Sequence, residues 1–281
     1  MLNLIPKGNS YSIKLFLLLL LAGVPASAGE PLLEHPYSSL PPSASSAPAA
    51  VAGMVNGETL DYDIYWGAVY VGSSYLKIEK TVDISSRPAW HIVEETKSGS
   101  FLTNFYKVED RNDSWMDAAD LHSYGYYKKI SEGKHFFNEW VIFDNPGRKY
   151  YGKKMNRKRQ ISDLEGPLDK PVNDMLSAVY RIRTMTVTPG SQVEMDVNTK
   201  RNWRLTVKTW KREKISTDYA KKKKCILVEP MAGEDGLFVA KAGKRLLVWI
   251  TDDELKVPMM LKAEISIGSI TAKLVRRTIK P

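Results

Sequence analysis

The chain has 281 residues and a single cysteine, Cys225. No intramolecular disulfide can form, and a zinc site built on thiolates is excluded. Histidine is nearly as scarce: His35, His91, His122 and His135 stand apart, without the HExxH or HxH spacing that gathers a metal ion. They read as satisfied core or surface residues. Nucleophile signatures are missing too, since Gly72-Ser73-Ser74 and Ser98-Gly99-Ser100 lack the GxSxG elbow.

Two features invite a chemical reading and do not sustain it. Asp252 and Asp253 could be a metal or glycosidase pair, but adjacent strand residues point to opposite faces, and Asx-turn chemistry accounts for both. Cys225 follows Lys221–Lys224, whose charges would favour a thiolate. It also opens the regular alternation of "CILVEP", which reads as a small buried residue starting a strand. The expectation is a protein with no catalytic residues, no metal and no cofactor.

Long apolar runs are absent except at the start. Leu15–Val24 falls short of the roughly 20 residues that a membrane helix needs. With Lys7 and Lys14 before it and Ala26-Ser27-Ala28 after it, residues 1–28 read as a signal peptide. The expected location is the periplasm, with membrane association or secretion as alternatives. Residues 29–55 are rich in Pro, Ser and Ala and carry almost no periodic apolar pattern, so they read as a disordered tether. Residues 56–281 then form the folded β domain.

That domain reads as strands. Leu60, Tyr62, Ile64 and Trp66 alternate with Thr59, Asp61, Asp63 and Tyr65, the period of a half-buried strand. The same period recurs in "VYVGSSYLKIEK", "AWHIVEETKS", "NFYKVEDRNDSWMD", "LHSYGYYKKISEG", "KHFFNEWVIFDN" and "KYYGKKMN". Turn residues separate these runs, at Ser86-Arg87-Pro88, Asp117–Asp120, Glu132-Gly133 and Asn145-Pro146-Gly147. Short connections predict antiparallel neighbours. One stretch breaks the pattern: Val172, Met175, Leu176, Val179 and Tyr180 share the spacing of a helix face, with Asp169 and Pro171 before them and "TPGS" after. Strands resume from Trp203 through "RLLVWI", "MMLKAEISIG" and "SITAKLVRRTI". The fold expected is all-β: a many-stranded antiparallel, curved sheet or barrel-like structure, with roughly twelve to fourteen strands and one helix near 171–185.

The stretches "GETLDYDIYWGAVYVGSSYLKIEK", "NDMLSAVYRIRTMTVTPGS" and "LLVWITDDELKVPMMLKAEISIGSITAKL" resemble, in order and context, a bacterial envelope family known as the DUF3108 domain family. The resemblance covers Gly57 to Leu274. It implies an exported, largely β protein with a curved or barrel-like sheet, and it supplies no catalytic residues to carry over.

Charge and aromatics shape the functional expectation. Lys and Arg number 41 against 32 Asp and Glu, a net charge of +9, or +7 once Lys7 and Lys14 leave with the leader. In an exported protein this excess points away from nucleic acid and toward lipid, lipopolysaccharide or another amphipathic envelope component. Two basic runs carry much of it. The first contains Arg148, Lys149, Lys153, Lys154, Arg157, Lys158 and Arg159, interleaved with Tyr150 and Tyr151; the second ends in Lys221, Lys222, Lys223 and Lys224. If both hairpins emerge on one rim, they make a field for anionic headgroups. Trp66, Tyr75, Trp90, Phe105, Trp115, Tyr126, Phe137, Trp140 and Trp249 are the candidates for lining an apolar groove, and strand phase alone cannot distinguish a groove from a solid core. The leading expectation is a non-enzymatic envelope protein binding a lipid-like ligand. The alternative is an envelope scaffold or assembly factor that recognises a protein partner, for example by lending a sheet edge to a strand.

Overall fold

The computed structural model describes residues 32–43, 51–231, 245–265 and 267–280. The expected signal peptide lies outside the described residues, as does part of the expected tether. Fourteen strands follow in order. The first eight are β1 (Glu58–Trp66), β2 (Val69–Ile84), β3 (Arg87–Ser98), β4 (Glu109–Asp117), β5 (Ser123–Glu132), β6 (His135–Asp144), β7 (Lys149–Asn156) and β8 (Ile161–Pro167). The remaining six are β9 (Gln192–Asn198), β10 (Asn202–Ile215), β11 (Lys223–Met231), β12 (Leu246–Thr251), β13 (Pro258–Glu264) and β14 (Ser269–Ile279). The helices are α1 (Ser100–Thr103) and α2 (Met175–Thr184).

All fourteen strands belong to one antiparallel sheet, ordered β8-β7-β6-β5-β4-β3-β2-β1-β14-β13-β12-β11-β10-β9. The first and last strands therefore meet in its middle. Glu58 pairs with Ile279 and Trp66 with Ile270. The sheet is curved but not closed, because β8 and β9 are not ladder partners. The end of β8 and the residues that follow it span that seam: Asn202 donates to the Pro167 carbonyl at 2.8 Å, and Asn173 makes a parallel bridge to Val197.

α2 lies inside the curve and joins its two limbs. Ala178, Ile182 and Met185 pack on Met195, Val197, Leu205, Val207, Ile226 and Val228 from β9 to β11. Leu176, Val179 and Tyr180 join the cluster of Leu60, Tyr62, Trp90, Ile92 and Met116. Each fully buried large side chain contributes about 1.5–3 kcal/mol of transfer free energy, so the helix is a second layer for the sheet. Its start is fixed by Asp174, whose carboxylate accepts from Leu176 N at 2.8 Å and Ser177 N at 3.2 Å. The expected helix near 171–185 is thus found, with a later start because Asn173 is engaged with β9.

Three further details differ from the sequence expectation. A short second helix, α1, sits in the β3–β4 connection; four residues are too few to leave a periodic signal. The β2–β3 turn falls on Ser85 and Ser86, both at positive φ, so Pro88 lies within β3 opposite Asp83. The tether expected over 29–55 is not structureless in its described part. His35 is buried, Leu33 N donates to Asn138 Oδ1 at 2.6 Å, and Ser43 N donates to the Thr81 carbonyl at 2.7 Å. Tyr37 and Leu40 pack on Val82, Ile84 and Trp115. The segment docks through single side chains set into the sheet's outer face, a mode that needs no periodicity.

Candidate functional site

The antiparallel registers align one row of polar side chains across five strands. Glu94 in β3 stands opposite Asn112 in β4, Asn112 opposite Lys128 in β5, Lys128 opposite Glu139 in β6, and Glu139 opposite Lys154 in β7. Directly opposed residues share a face. The adjacent row on that face contains Ile92, Ser114, Tyr126 and Val141. Ser114 Oγ donates to Asp174 Oδ2 at 2.6 Å, and Tyr126 and Val141 pack with Val172. The polar row is therefore on the inner face, against which α2 packs.

Glu139 is the centre of a basic group. It is buried, and its Oε2 lies 3.4 Å from both Lys154 Nζ and Lys200 Nζ, contacts whose geometry falls short of hydrogen bonds. Tyr126 Oη donates to Glu139 Oε1 at 3.4 Å. Lys200 comes from the β9–β10 turn across the seam, and its carbonyl accepts from Tyr150 Oη. The Phe137 ring lies 4.2 Å from Lys154 Nζ and 5.5 Å from Lys200 Nζ, and Lys128 sits over the Tyr126 ring at 4.8 Å. Desolvation lowers the pKa of both Lys128 and Lys154; the attraction of Glu139 opposes this for both, and the neighbouring charge of Lys200 adds to it.

Carboxyls gather on β3, β4 and β5. Glu94 accepts from Ser74 Oγ at 2.9 Å, Asn112 Nδ2 at 2.6 Å and Thr96 Oγ1 at 2.5 Å, yet desolvation still raises its pKa. Asp110 and Glu132 are hydrogen-bonded to each other, and both are shifted upward, by desolvation first and then, for Glu132, by the other's charge. Asp110 Oδ1 also accepts from Ser131 N at 2.8 Å. Glu132 Oε1 has no partner among the described residues.

The opposite limb of the inner face is apolar. Leu246 pairs with Ala263, Val248 with Leu261, and Leu261 with Ala272, which in turn stands opposite Ile64. Leu246, Val248, Leu261, Ala263 and Ala272 are only half-buried, as are Glu94, Asn112, Lys128 and Lys154 on the same face of the sheet. Glu94 and Lys128 are surrounded by protein deeply enough for desolvation to dominate their pKa shifts, and they still touch solvent. Side chains that are both deep and wet line a recess.

The aromatic residues expected to line one groove are divided between surfaces. Trp90, Tyr126 and Phe137 are on the inner face, with the Trp90 indole donating to Asn56 Oδ1 at 2.9 Å. Trp66 ends β1 on the same phase, 38% exposed, and donates to the Ile267 carbonyl. Tyr75, Trp115, Trp140 and Trp249 face outward, opposite Glu95, His91, Lys153 and Leu227 respectively. Phe105 is in the exposed α1–β4 connection. Phe137 and Trp140 stand three apart in the unbroken register of β6, so period two itself puts them on opposite faces, and Trp115 is buried on the outer face beneath His35.

The basic runs are not on one rim. An odd number of antiparallel pairings separates β7 from β10, so Arg157–Arg159 after β7 and the loop after β10 leave the sheet at opposite ends of their strands. Arg148 and Lys149, at the other end of β7, are the part of the first run on the same side as the loop after β10. Several of these charges are paired outside the recess: Lys153 with Asp163, Lys221 with Asp218 and Lys223 with Asp253, while Arg157 donates to the Lys134 carbonyl. Lys158, Arg159, Lys222 and Lys224 flank them in sequence, and of both runs only Lys154 enters the inner polar row. Lys128, Glu139, Glu94 and Lys200 were missed. A signal existed for two of them: Lys128 and Glu139 occupy the phase of Tyr126, Ile130, Phe137 and Val141, where a charge is out of place in an apolar face.

The other chemical candidates resolve simply. Asp253 Oδ1 accepts from Thr251 Oγ1 at 2.6 Å and Leu255 N at 3.2 Å, and Asp252 pairs with Arg212, so the pair serves a turn. Cys225 is fully buried, and desolvation pushes its thiol up to about 11. Among the described residues no group of His, Cys, Asp or Glu is arranged to hold a metal ion, and no helix is long and apolar enough to cross a membrane.

Comparison with known proteins follows the same outline. The profile of the family described as "Protein of unknown function (DUF3108)" matches residues 61–275. No curated protein matches the sequence. Among solved structures, a beta-barrel-like protein of the domain of unknown function DUF1849 from Brucella abortus is similar, with a TM-score of 0.51 and 12% identity, covering 83% of this chain and 100% of that one. A protein with a YmcC-like fold from Bacteroides fragilis aligns at a TM-score of 0.36 and 5% identity, covering 82% of this chain and 100% of that one. At such identities the first likeness concerns the fold alone.

Proposed function

The chain belongs to the DUF3108 family, and from that premise we propose that it is an exported, non-enzymatic envelope protein that holds an amphipathic ligand on the inner face of its curved sheet. One observation carries the reading. Glu94 and Lys128 are deep yet touch solvent, and they share the inner face with an apolar limb whose Leu246, Val248, Leu261 and Ala263 are also only half-buried. Charges that keep contact with water are expected at the wall of a recess, since desolvating a charge fully costs several kcal/mol. A recess with one charged limb and one apolar limb matches a molecule with a polar head and an apolar tail, such as a lipid or lipopolysaccharide component. The leader expected in residues 1–28 supplies the route to such ligands.

Native mass spectrometry with organic extraction tests this on protein purified without detergent from cells expressing the full chain. A stoichiometric amphiphile is the expected result. An apo mass that persists after incubation with envelope lipids would remove the carrier reading.

One feature favours the scaffold alternative. β8 pairs only with β7 among the described residues, and Ile161–Pro167 is largely exposed, an edge to which another strand can be added. A protein partner of fixed stoichiometry in the same mass spectrum, in place of a lipid, would select it.

A further inference from the structure

We propose that the end of the sheet formed by the β1–β2 turn, α1 and the neighbouring turns docks onto an anionic lipid membrane surface. The inference goes beyond the recess, because its exposed residues belong neither to the polar row nor to the apolar limb. Antiparallel pairing brings the ends of β1, β3, β5, β7 and β9, with the starts of the strands that follow them, to one end of the sheet. β14 starts there too, since Ile270 pairs with Trp66. Three neighbouring connections at this end hold large apolar side chains in solvent: Trp66, Val69 and Tyr70 at the β1–β2 turn, Phe101 and Phe105 around α1, and Ile267 in the β13–β14 turn.

Contacts join these side chains into one patch. The Trp66 indole donates to the Ile267 carbonyl at 2.8 Å, and the Phe101 and Phe105 rings lie 5.8 Å apart. The Tyr70 ring rests on Gly99, just before α1, where an added Cβ would meet it at 2.8 Å. Beneath the patch, Leu102 packs on Ile64, Val71, Ile265 and Ile270, so a buried cluster holds the turns in place. A contiguous exposed apolar patch of this kind marks an interaction surface.

The charge beside the patch selects the partner. Next along the same rim, Gly133 N donates to the Lys107 carbonyl at 2.8 Å, and Arg157 donates to the Lys134 carbonyl at 2.8 Å. Lys107 is paired with Glu109, but Lys134, Arg157 and Lys158 are exposed in the turns after β5 and β7. No Asp or Glu stands in the described connections at this end, whereas those at the opposite end carry Asp120, Asp169, Asp218, Asp252, Asp253 and Glu254 beside their Lys and Arg. An anionic bilayer attracts a border of one positive sign, while Trp, Tyr and Phe settle at the level of its headgroups. The apolar groups project from turns, so they can enter a lipid surface together without unpairing the strand ladder.

The test is flotation of the protein, purified without detergent from cells expressing the full chain, with vesicles of equal parts phosphatidylglycerol and phosphatidylethanolamine, and separately with phosphatidylcholine vesicles. At low salt the anionic vesicles should bind about tenfold more tightly than the neutral ones. Phe101→Ser/Phe105→Ser should weaken that binding about tenfold. Both side chains are largely exposed, at 62% and 59%, so the thermal midpoint should stay unchanged. Lys134→Glu/Lys158→Glu leaves the apolar patch intact and should remove the preference for anionic vesicles. Absence from the vesicle fraction, equal binding to both vesicle types, or binding that both double variants retain would overturn the proposal. So would a protein partner that co-purifies with the wild type and is lost from Phe101→Ser/Phe105→Ser, since this end would then be a protein-docking surface. An amphiphile found by mass spectrometry in a protein that does not float would leave the recess reading standing and overturn this one.

Discussion

The imidazole of His35 lies flat on the indole of Trp115, with ring centroids 4.1 Å apart and planes inclined by 17°. His91 stacks on Trp115 too, at 4.8 Å and 4°, and is held by Asp113 at 2.8 Å. His35 Nε2 meets the Val141 carbonyl at 3.1 Å while its Nδ1 accepts from Tyr37 N at 3.0 Å, an arrangement that assigns the neutral tautomer with the proton on Nε2. One residue thus clamps the N-terminal segment to the outer face of the sheet.

That clamp is sensitive to acid. Burial lowers the His35 pKa from 6.5 to about 4, and protonation would also set an Nδ1–H against the Tyr37 N–H. Because the docked pKa is depressed, the contribution is complete above pH 6.5 and is lost as pH falls toward 4, amounting to about 3 kcal/mol over that window. Proteolytic cleavage within residues 32–43 should accelerate steadily between pH 7 and pH 4 with an acid-tolerant protease, relative to a reference peptide. His35→Phe, which keeps a flat apolar ring, should flatten the dependence. Equal slopes in both proteins would contradict the clamp.

A second prediction concerns the end of α2. Arg183 is fully buried and donates to both oxygens of Glu58, at 2.6 and 3.1 Å, and to the Leu255 carbonyl at 3.1 Å, while Arg277 donates to Glu58 at 2.8 Å. Arg183→Met would leave Glu58 buried with one partner. Removing one member of a buried pair costs about 3–5 kcal/mol, and Arg277 keeps the loss near the lower end. Urea denaturation should show a drop of about 3 kcal/mol with an unchanged m-value. Arg277→Met alone should cost less, since the two-pronged Arg183 contact remains. A loss below 1 kcal/mol for Arg183→Met would mean that α2 is held by its apolar faces alone.

The distribution of what the sequence revealed has a physical cause. Alternation such as Leu60, Tyr62 and Ile64 reports one buried face, and Val172 to Tyr180 reports a helix, because each pattern is local in the chain. The resemblance to DUF3108 was legible for the same reason, being carried by contiguous motifs. The recess was not. Its row from Glu94 to Lys154 exists only through four successive registers, and Lys200 reaches Glu139 across a seam between the two ends of the sheet. The aromatic residues failed as a group for another reason: the outer face buries aromatics too, as Trp115 does beneath His35 and Tyr37, so the hydrophobicity of a phase does not say which face of the sheet it is. Docking of residues 32–43 left even less trace, since it depends on His35, Tyr37 and Leu40 singly.

The carboxyls of Asp110 and Glu132 give the last prediction. They are buried and hydrogen-bonded to each other, and desolvation together with their mutual charge raises the pKa of Glu132 above its ordinary 4.5. The folded protein therefore keeps a proton that the unfolded chain releases once pH passes 4.5. Stability contributed by this proton is complete below that pH and declines as pH rises through the folded pKa. Glu132→Gln removes one ionisation while its amide can still donate to Asp110, so the decline should largely vanish. Thermal melts should give similar midpoints for the two proteins at pH 4, with Glu132→Gln higher by several degrees at pH 8, the shift expected for about 1–2 kcal/mol in a domain of this size. Midpoints that fall in parallel from pH 4 to pH 8 would show that the pair does not hold a proton.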